Sequence, residues 1–167
     1  MNKKFGFTLI ELLTVVVILG ILTSIALPQY RKAIQRAEAS NALINLKTIF
    51  DSAKRFQSTS SQWPTSFTGL DVDLLDISDN GTVGEFQYGF SNDNNGTVSA
   101  CRIIEGDATD TYCLFAYYRM TVTANHRSTI QRDVYACQYG APKYQALCES
   151  MCSDAITINL TNGCVIK

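Results

Sequence analysis

The chain has 167 residues, one domain's worth, with 14 basic and 15 acidic side chains and a formal net charge of -1. That balance leaves no footprint for nucleic acid, which calls for an excess of lysine and arginine gathered on one face. With a single histidine, no glycine-rich phosphate loop and no nucleophile elbow, the sequence does not read as an enzyme and implies no cofactor.

The first 28 residues carry the strongest signal. After Lys3 and Lys4, the run from Phe7 to Leu27 holds one ionisable side chain, Glu11. A stretch this long and apolar spans a bilayer as a helix. A carboxylate inside such a span costs about 2.5–3.5 kcal/mol at the bilayer centre and less near an end, so Glu11 calls for a role and a partner. An ordinary secretory signal would use Lys3 and Lys4 as its basic region and Ser24-Ile25-Ala26 as its cleavage site. The apolar run exceeds the about 7–15 residues of such signals, and a charge sits in its first turns. A plain transmembrane anchor explains the apolarity and leaves Glu11 unexplained.

The segment Lys3-Lys4-Phe5-Gly6-Phe7-Thr8-Leu9-Ile10-Glu11-Leu12-Leu13 resembles the class III signal of type IV prepilins. In that family a short basic leader ends in Gly, Phe follows, and Glu stands four residues beyond the Phe. The resemblance implies that prepilin peptidase cleaves between Gly6 and Phe7 and that Phe7 is then N-methylated. Residues 1–6 are thus a leader peptide and 7–30 a transmembrane and polymerisation helix. Cleavage leaves a charged α-amino group on Phe7, one helical turn from Glu11. Pairing Glu11 with the N-terminus of a neighbouring subunit would offset two poorly solvated charges and set the register between helices.

Lys3 and Lys4 fit a cytoplasmic N-terminus by the positive-inside rule, whereas Arg31, Lys32 and Arg36 on the far flank run against it. The resemblance decides for a head outside the cytoplasm. Gly20 and Pro28 are weak points of the helix, and Pro28 removes one backbone bond at Ser24, so a kink is expected. In the pilin family the segment they bound loses helicity as subunits enter the filament.

Beyond Pro28 the helical pattern continues. Leu43, Leu46, Phe50, Ala53 and Phe56 recur at steps of three and four, with Arg36, Glu38, Asn45, Lys47, Asp51 and Lys54 on other faces. Phe7 to Gln57 therefore reads as one helix of about 75 Å, with 31–57 the amphipathic spine of a head. Ser58 to Thr65, with Pro64, ends it, and 58–84 is a long connection that can hold a helical turn around Leu70 to Leu75. In pilins this αβ-loop lies on the filament surface or between subunits. Asp71, Asp73, Asp76 and Asp79 invite a calcium reading, but their spacing is not that of an EF-hand and Asp79-Asn80-Gly81 is first a turn. No metal is assigned.

From Glu85 the period becomes two: Phe86, Tyr88 and Phe90, a turn over Asn92 to Gly96, then strands over Thr97 to Ile104, Tyr112 to Thr123 and Ile130 to Gln138. Consecutive strands with short turns predict an antiparallel meander that buries the helix stripe. A short helix over Pro142 to Met151 and a tail with Ile156, Ile158, Leu160 and Val165 complete region 85–167. The fold class is α+β, which the resemblance identifies with the pilin fold.

All six cysteines lie in the C-terminal half. An even number in a small exported head reads as three disulfides. A zinc reading would have only Cys148-x-x-x-Cys152 and His126. Many connectivities are open. Nearest-neighbour pairing is adopted: Cys101 with Cys113, Cys137 with Cys148, Cys152 with Cys164. Pilins commonly close the exposed tail loop with one disulfide, so three depart from that pattern.

The resemblance implies a type IVa pilin: a subunit held by lipid in the inner membrane with its head in the periplasm. An assembly platform and motor would polymerise it into an extracellular homo-oligomeric filament for adhesion, twitching or DNA uptake. The alternatives are the major pseudopilin of a type II secretion system and a membrane-anchored adhesin that does not polymerise.

Overall fold

The structure, a computed structural model, describes residues 7–72, 81–92, 96–102, 111–124, 128–152, 156–157 and 162–166. It forms two compact units, residues 1–38 and 39–167. Helix α1 (Leu9–Ser60) supplies most of the first and enters the second. It is continuous through Gly20 and Pro28.

The polar stretch expected to stop the helix after Gln57 instead prolongs it to Ser60. The hydroxyl of Ser58 donates to the Arg55 carbonyl at 2.7 Å, and those of Thr59 and Ser60 donate to the Phe56 carbonyl at 2.9 and 2.8 Å. Short hydroxyl side chains can bond back to their own helix in this way. Ser61 ends it, with φ 58° and its N–H on the Gln57 carbonyl.

In the second unit α1 buries Ala39, Ala42, Leu46, Ile49, Phe50, Ser52 and Ala53. Three of the five expected stripe residues (Leu46, Phe50, Ala53) are in the core, while Leu43 and Phe56 lie half-buried at its flanks. The stripe is turned toward Ala39 and Ala42, whose small side chains let the sheet approach. Tyr88 Oη reaches the Ala42 carbonyl at 3.4 Å.

The sheet consists of β1 (Thr82–Val83), β2 (Phe86–Ser91), β3 (Thr97–Arg102), β4 (Tyr112–Ala124), β5 (Ser128–Tyr139), β6 (Ile156–Thr157) and β7 (Gly163–Val165). Its order is β1-β2-β3-β4-β5-β7, all antiparallel, so the expected meander holds and the tail returns to extend it. β3 accompanies β4 only as far as Tyr117, and β6 pairs with β4 farther along, at Thr123 and Ala124. Register puts Tyr88, Ala100, Leu114 and Cys137 in one row across the core face. A 3-10 turn (Pro142–Tyr144) leads into helix α2 (Gln145–Met151), which buries Leu147 and Cys148 in the same core.

The β4–β5 register slips between Tyr117 and Met120. Arg119 takes φ 49°, and its N–H donates to Asp133 Oδ1 at 3.1 Å. The other oxygen of Asp133 meets Lys54 Nζ of α1 at 3.1 Å. Burial disfavours the Lys54 charge, but the hydrogen bonds it donates to Asp51 and Asp133 outweigh this and hold the Lys54 pKa above its ordinary value. One carboxylate thus pins a β-bulge to the helix. The bulge lets Tyr118 stack on Trp63, with centroids 5.7 Å apart.

Trp63 in turn explains Gly96. A Cβ there would lie 2.4 Å from Trp63 Cδ2, and the residue has φ 122°. Gly96→Ala combines overpacking with backbone strain and should cost about 2 kcal/mol or more. Urea denaturation of the detergent-solubilised chain measures this; an unchanged midpoint would mean that Trp63 moves aside freely.

The connection after α1 is tied back by Asp71. Its carboxylate accepts from Arg55 Nε at 2.8 Å, Arg55 Nη2 at 2.9 Å and the buried Ser52 hydroxyl, and its N–H donates to Ser52 Oγ at 3.1 Å. The Arg55 and then the Ser52 hydrogen bonds hold its pKa down at about 2. A depressed carboxylate stabilises the fold above its unfolded pKa and loses that contribution as pH falls through the folded one. The tether should therefore hold at neutral pH and release between about pH 4 and 2. A carbon-13 titration should place the Asp71 midpoint at about 2. Arg55→Gln should move that midpoint up toward the ordinary Asp range; the same midpoint in both proteins would refute the pairing.

Candidate functional site

The start of α1 is a capping box. Thr8 precedes the first helical residue; its N–H and hydroxyl donate to Glu11 Oε2 at 2.8 and 2.6 Å, and the Glu11 N–H donates to Thr8 Oγ1 at 3.3 Å. Amide groups at a helix start lack partners within the helix, and this reciprocal exchange satisfies two of them. The carboxylate also sits at the positive end of the helix dipole. Glu11 thus has a partner within its own chain. The motif Thr8-x-x-Glu11 before an apolar run is the sequence signature of the box, and reading Glu11 as a charge alone missed it.

The other polar side chains of the span are satisfied in the same local manner. Thr14 Oγ1 donates to the Glu11 carbonyl at 2.9 Å, Thr23 Oγ1 to Leu19 at 2.7 Å and Ser24 Oγ to Ile21 at 2.7 Å. Every large apolar side chain from Leu9 to Leu27 is exposed, from 84% at Leu9 to 49% at Val15. A helix that bonds its own polar groups and shows apolar surface all round suits a medium without water. By length and composition it can cross a membrane.

Phe7, beside the expected cleavage point, is 85% exposed ahead of the helix. Gly6 lies outside the described residues. Gly20 has nothing within 4 Å of where a side chain would sit.

The cysteines meet as Cys101–Cys113, Cys137–Cys148 and Cys152–Cys164, and none is free. The first bridges β3 and β4 at directly paired positions; the second ties β5 to α2 inside the core. The zinc alternative fails, since Cys148 and Cys152 are both bonded to other cysteines. For calcium, Asp71 is engaged by Arg55, and Asp73, Asp76 and Asp79 lie outside the described residues.

The family model for the prokaryotic N-terminal methylation motif matches residues 1–27. The chain is 48% identical over 62 residues to a fimbrial protein of Moraxella nonliquefaciens, covering 37% of this chain and 38% of the relative. It is 45% identical over 61 residues to the type IV major pilin protein PilA of Myxococcus xanthus, covering 36% and 28%. The type II secretion system core protein G of Vibrio cholerae is 34% identical over 72 residues, covering 43% and 49%. Over its N-terminal part the chain is thus similar to type IV pilins and to a type II secretion core protein. It spans between 28% and 49% of the length of these three relatives. No solved structure matches it.

The capping box generates a test. Thr8→Val keeps the shape and removes the hydroxyl, and losing such a cap costs about 0.5–2 kcal/mol of local helix stability. In micelles the amides of Leu9 to Leu12 should exchange several-fold faster in Thr8→Val, while Glu11→Gln, which can still complete a capping box, should change less. Equal exchange in wild type and Thr8→Val would remove the box from the account.

Proposed function

We propose that the chain is the subunit of a type IV pilus, stored in the inner membrane with its head in the periplasm and polymerised into an extracellular filament. The observation that carries this is the apolar surface of α1 from Leu9 to Leu27, which lipid or other copies of the same helix must cover. The pilin relatives and the methylation motif support it. The organisation proposed is a leader at 1–6, a membrane and polymerisation helix at 7–30, a spine at 31–57, a surface loop at 58–84 and a disulfide-closed head at 85–167. Prepilin peptidase would cleave between Gly6 and Phe7, and methylation would follow on Phe7. A platform and motor would then draw the helix from the membrane. Gly20 and Pro28 would be the places where it yields on entering the filament. A second reading, the major pseudopilin of type II secretion, is favoured by the relative in Vibrio cholerae.

Within this reading Glu11 aligns subunits. Both Thr8 bonds fall on Oε2, and a carboxylate has about four acceptor sites, so it can also receive the α-amino group of a neighbour's Phe7. Packing of apolar helices would supply cohesion, and the ion pair the axial register. Glu11→Ala keeps the helix and removes the carboxylate. Intact mass should then show normal loss of residues 1–6, while sheared-filament yield falls at least tenfold. Wild-type yield would leave Glu11 a bystander, and a mature chain beginning at Leu27 would sink the pilin reading.

A further inference from the structure

The two cations just beyond the span have no use in the function proposed so far. Arg31 and Lys32 follow the apolar run on the flank that the positive-inside rule disfavours for lysine and arginine. Both are exposed, and among the described residues neither makes a hydrogen bond or an ion pair. Position along the helix supplies a partner. From Leu9 to Pro28 a continuous helix of twenty residues rises about 30 Å, the thickness of a bilayer's hydrocarbon core. Tyr30, 65% exposed, then stands at the level of the headgroups, where tyrosine favours the boundary between apolar and wet layers. Arg31 and Lys32 lie about 1.5 and 3 Å farther along the axis, at the depth of the phosphates.

Helical phase sorts these residues further. Tyr30, Ile34 and Ala37 recur at i, i+4 and i+7 on one side, and Arg31, Lys32 and Gln35 fall off it. The turn after Pro28 is thus amphipathic at interface depth, with long cationic side chains whose stems can lie along lipid while their heads reach phosphate. We propose that Arg31 and Lys32 bind anionic phospholipid headgroups and, with Tyr30 anchored in the interface on the other side, fix the depth of the stored subunit. Arg31 offers a planar fork to phosphate oxygens, and Lys32 a compact charge beside it. The inference rests on the membrane reading above and names the lipid class that reading leaves open. It also gives the far-flank cations a role that does not contradict a head outside the cytoplasm, since they answer to phosphate instead of setting orientation.

The test uses the full chain in nanodiscs of an equal mixture of phosphatidylcholine and phosphatidylglycerol. Graded delipidation followed by mass analysis gives the lipid ratio retained by the protein. A surface cation is worth about fivefold in anionic-lipid binding. Wild type should therefore retain phosphatidylglycerol at least about fivefold over the bulk ratio at low salt, and lose the enrichment in high salt. Arg31→Gln with Lys32→Gln should lower the enrichment at least about fivefold, whereas Lys3→Gln with Lys4→Gln, on the other flank, should leave that share in place. A bulk ratio for wild type, or enrichment kept by Arg31→Gln with Lys32→Gln, overturns the proposal. So does displacement by inorganic phosphate at matched ionic strength, which would mark a free-anion site. Unchanged lipid with lost filaments would assign the cations to a neighbouring subunit and overturn it equally. Failure of the chain to enter discs of either lipid would instead sink the membrane reading itself.

Discussion

From Leu9 to Leu27 the side chains of α1 present apolar surface in every direction, and among the described residues nothing packs on it. Leaving a Leu, Ile or Val in water forfeits about 1.5–3 kcal/mol relative to burying it. Repeated over successive turns, that penalty rules out a segment standing free in water. The rest of the unit is consistent with this constraint. Thr14, Thr23 and Ser24 return their hydroxyls to the helix's own carbonyls, and Thr8 and Glu11 satisfy each other. No polar side chain from Thr8 to Leu27 depends on water for its hydrogen bond.

The apolar segment was legible in the sequence because composition marks it: one ionisable group stands between Phe7 and Leu27. Sheet strands were legible where alternation was long enough, as at Phe86, Tyr88 and Phe90. Two- and three-residue strands such as β6 and β7 carry no period, so their places beside β4 and β5 could not be read. The bulge was hidden for another reason. It depends on Asp133 facing Lys54 across 79 positions of sequence, a contact that only the folded chain creates. The core stripe omits Ala39 and Ala42 because alanine is a weak apolar signal, yet both are buried and Tyr88 Oη reaches the Ala42 carbonyl. The capping box is legible as Thr8-x-x-Glu11 before an apolar run, a local pattern that the charge of Glu11 overshadows.

The head is built to avoid growth through its sheet. Its path ends in β1 and β7, two and three residues long, and short edge strands blunt pairing with another chain. Disulfides reinforce this: Cys101–Cys113 locks a hairpin inside the sheet, and Cys152–Cys164 fixes the strand at the far end. Among the described residues, α1 is the element that carries the large exposed apolar surface. Cohesion in the proposed filament therefore belongs to the helix.

That division has an energetic consequence for assembly. Lipid chains are as apolar as the leucine and valine side chains they cover, so exchanging lipid for neighbouring helices gains little from hydrophobicity alone. What the exchange does not require is equally important: with the hydroxyls of the span bonded internally, none of those side-chain bonds has to be remade on leaving the bilayer. Van der Waals packing then supplies attraction that is nearly indifferent to sliding along the helix axis. A polar pair at one end is the economical way to select one register from many, because an unpaired charge in that environment is costly and a misaligned subunit would leave two. In the proposed filament Glu11 fills this position, held at the helix start by Thr8 before any neighbour arrives.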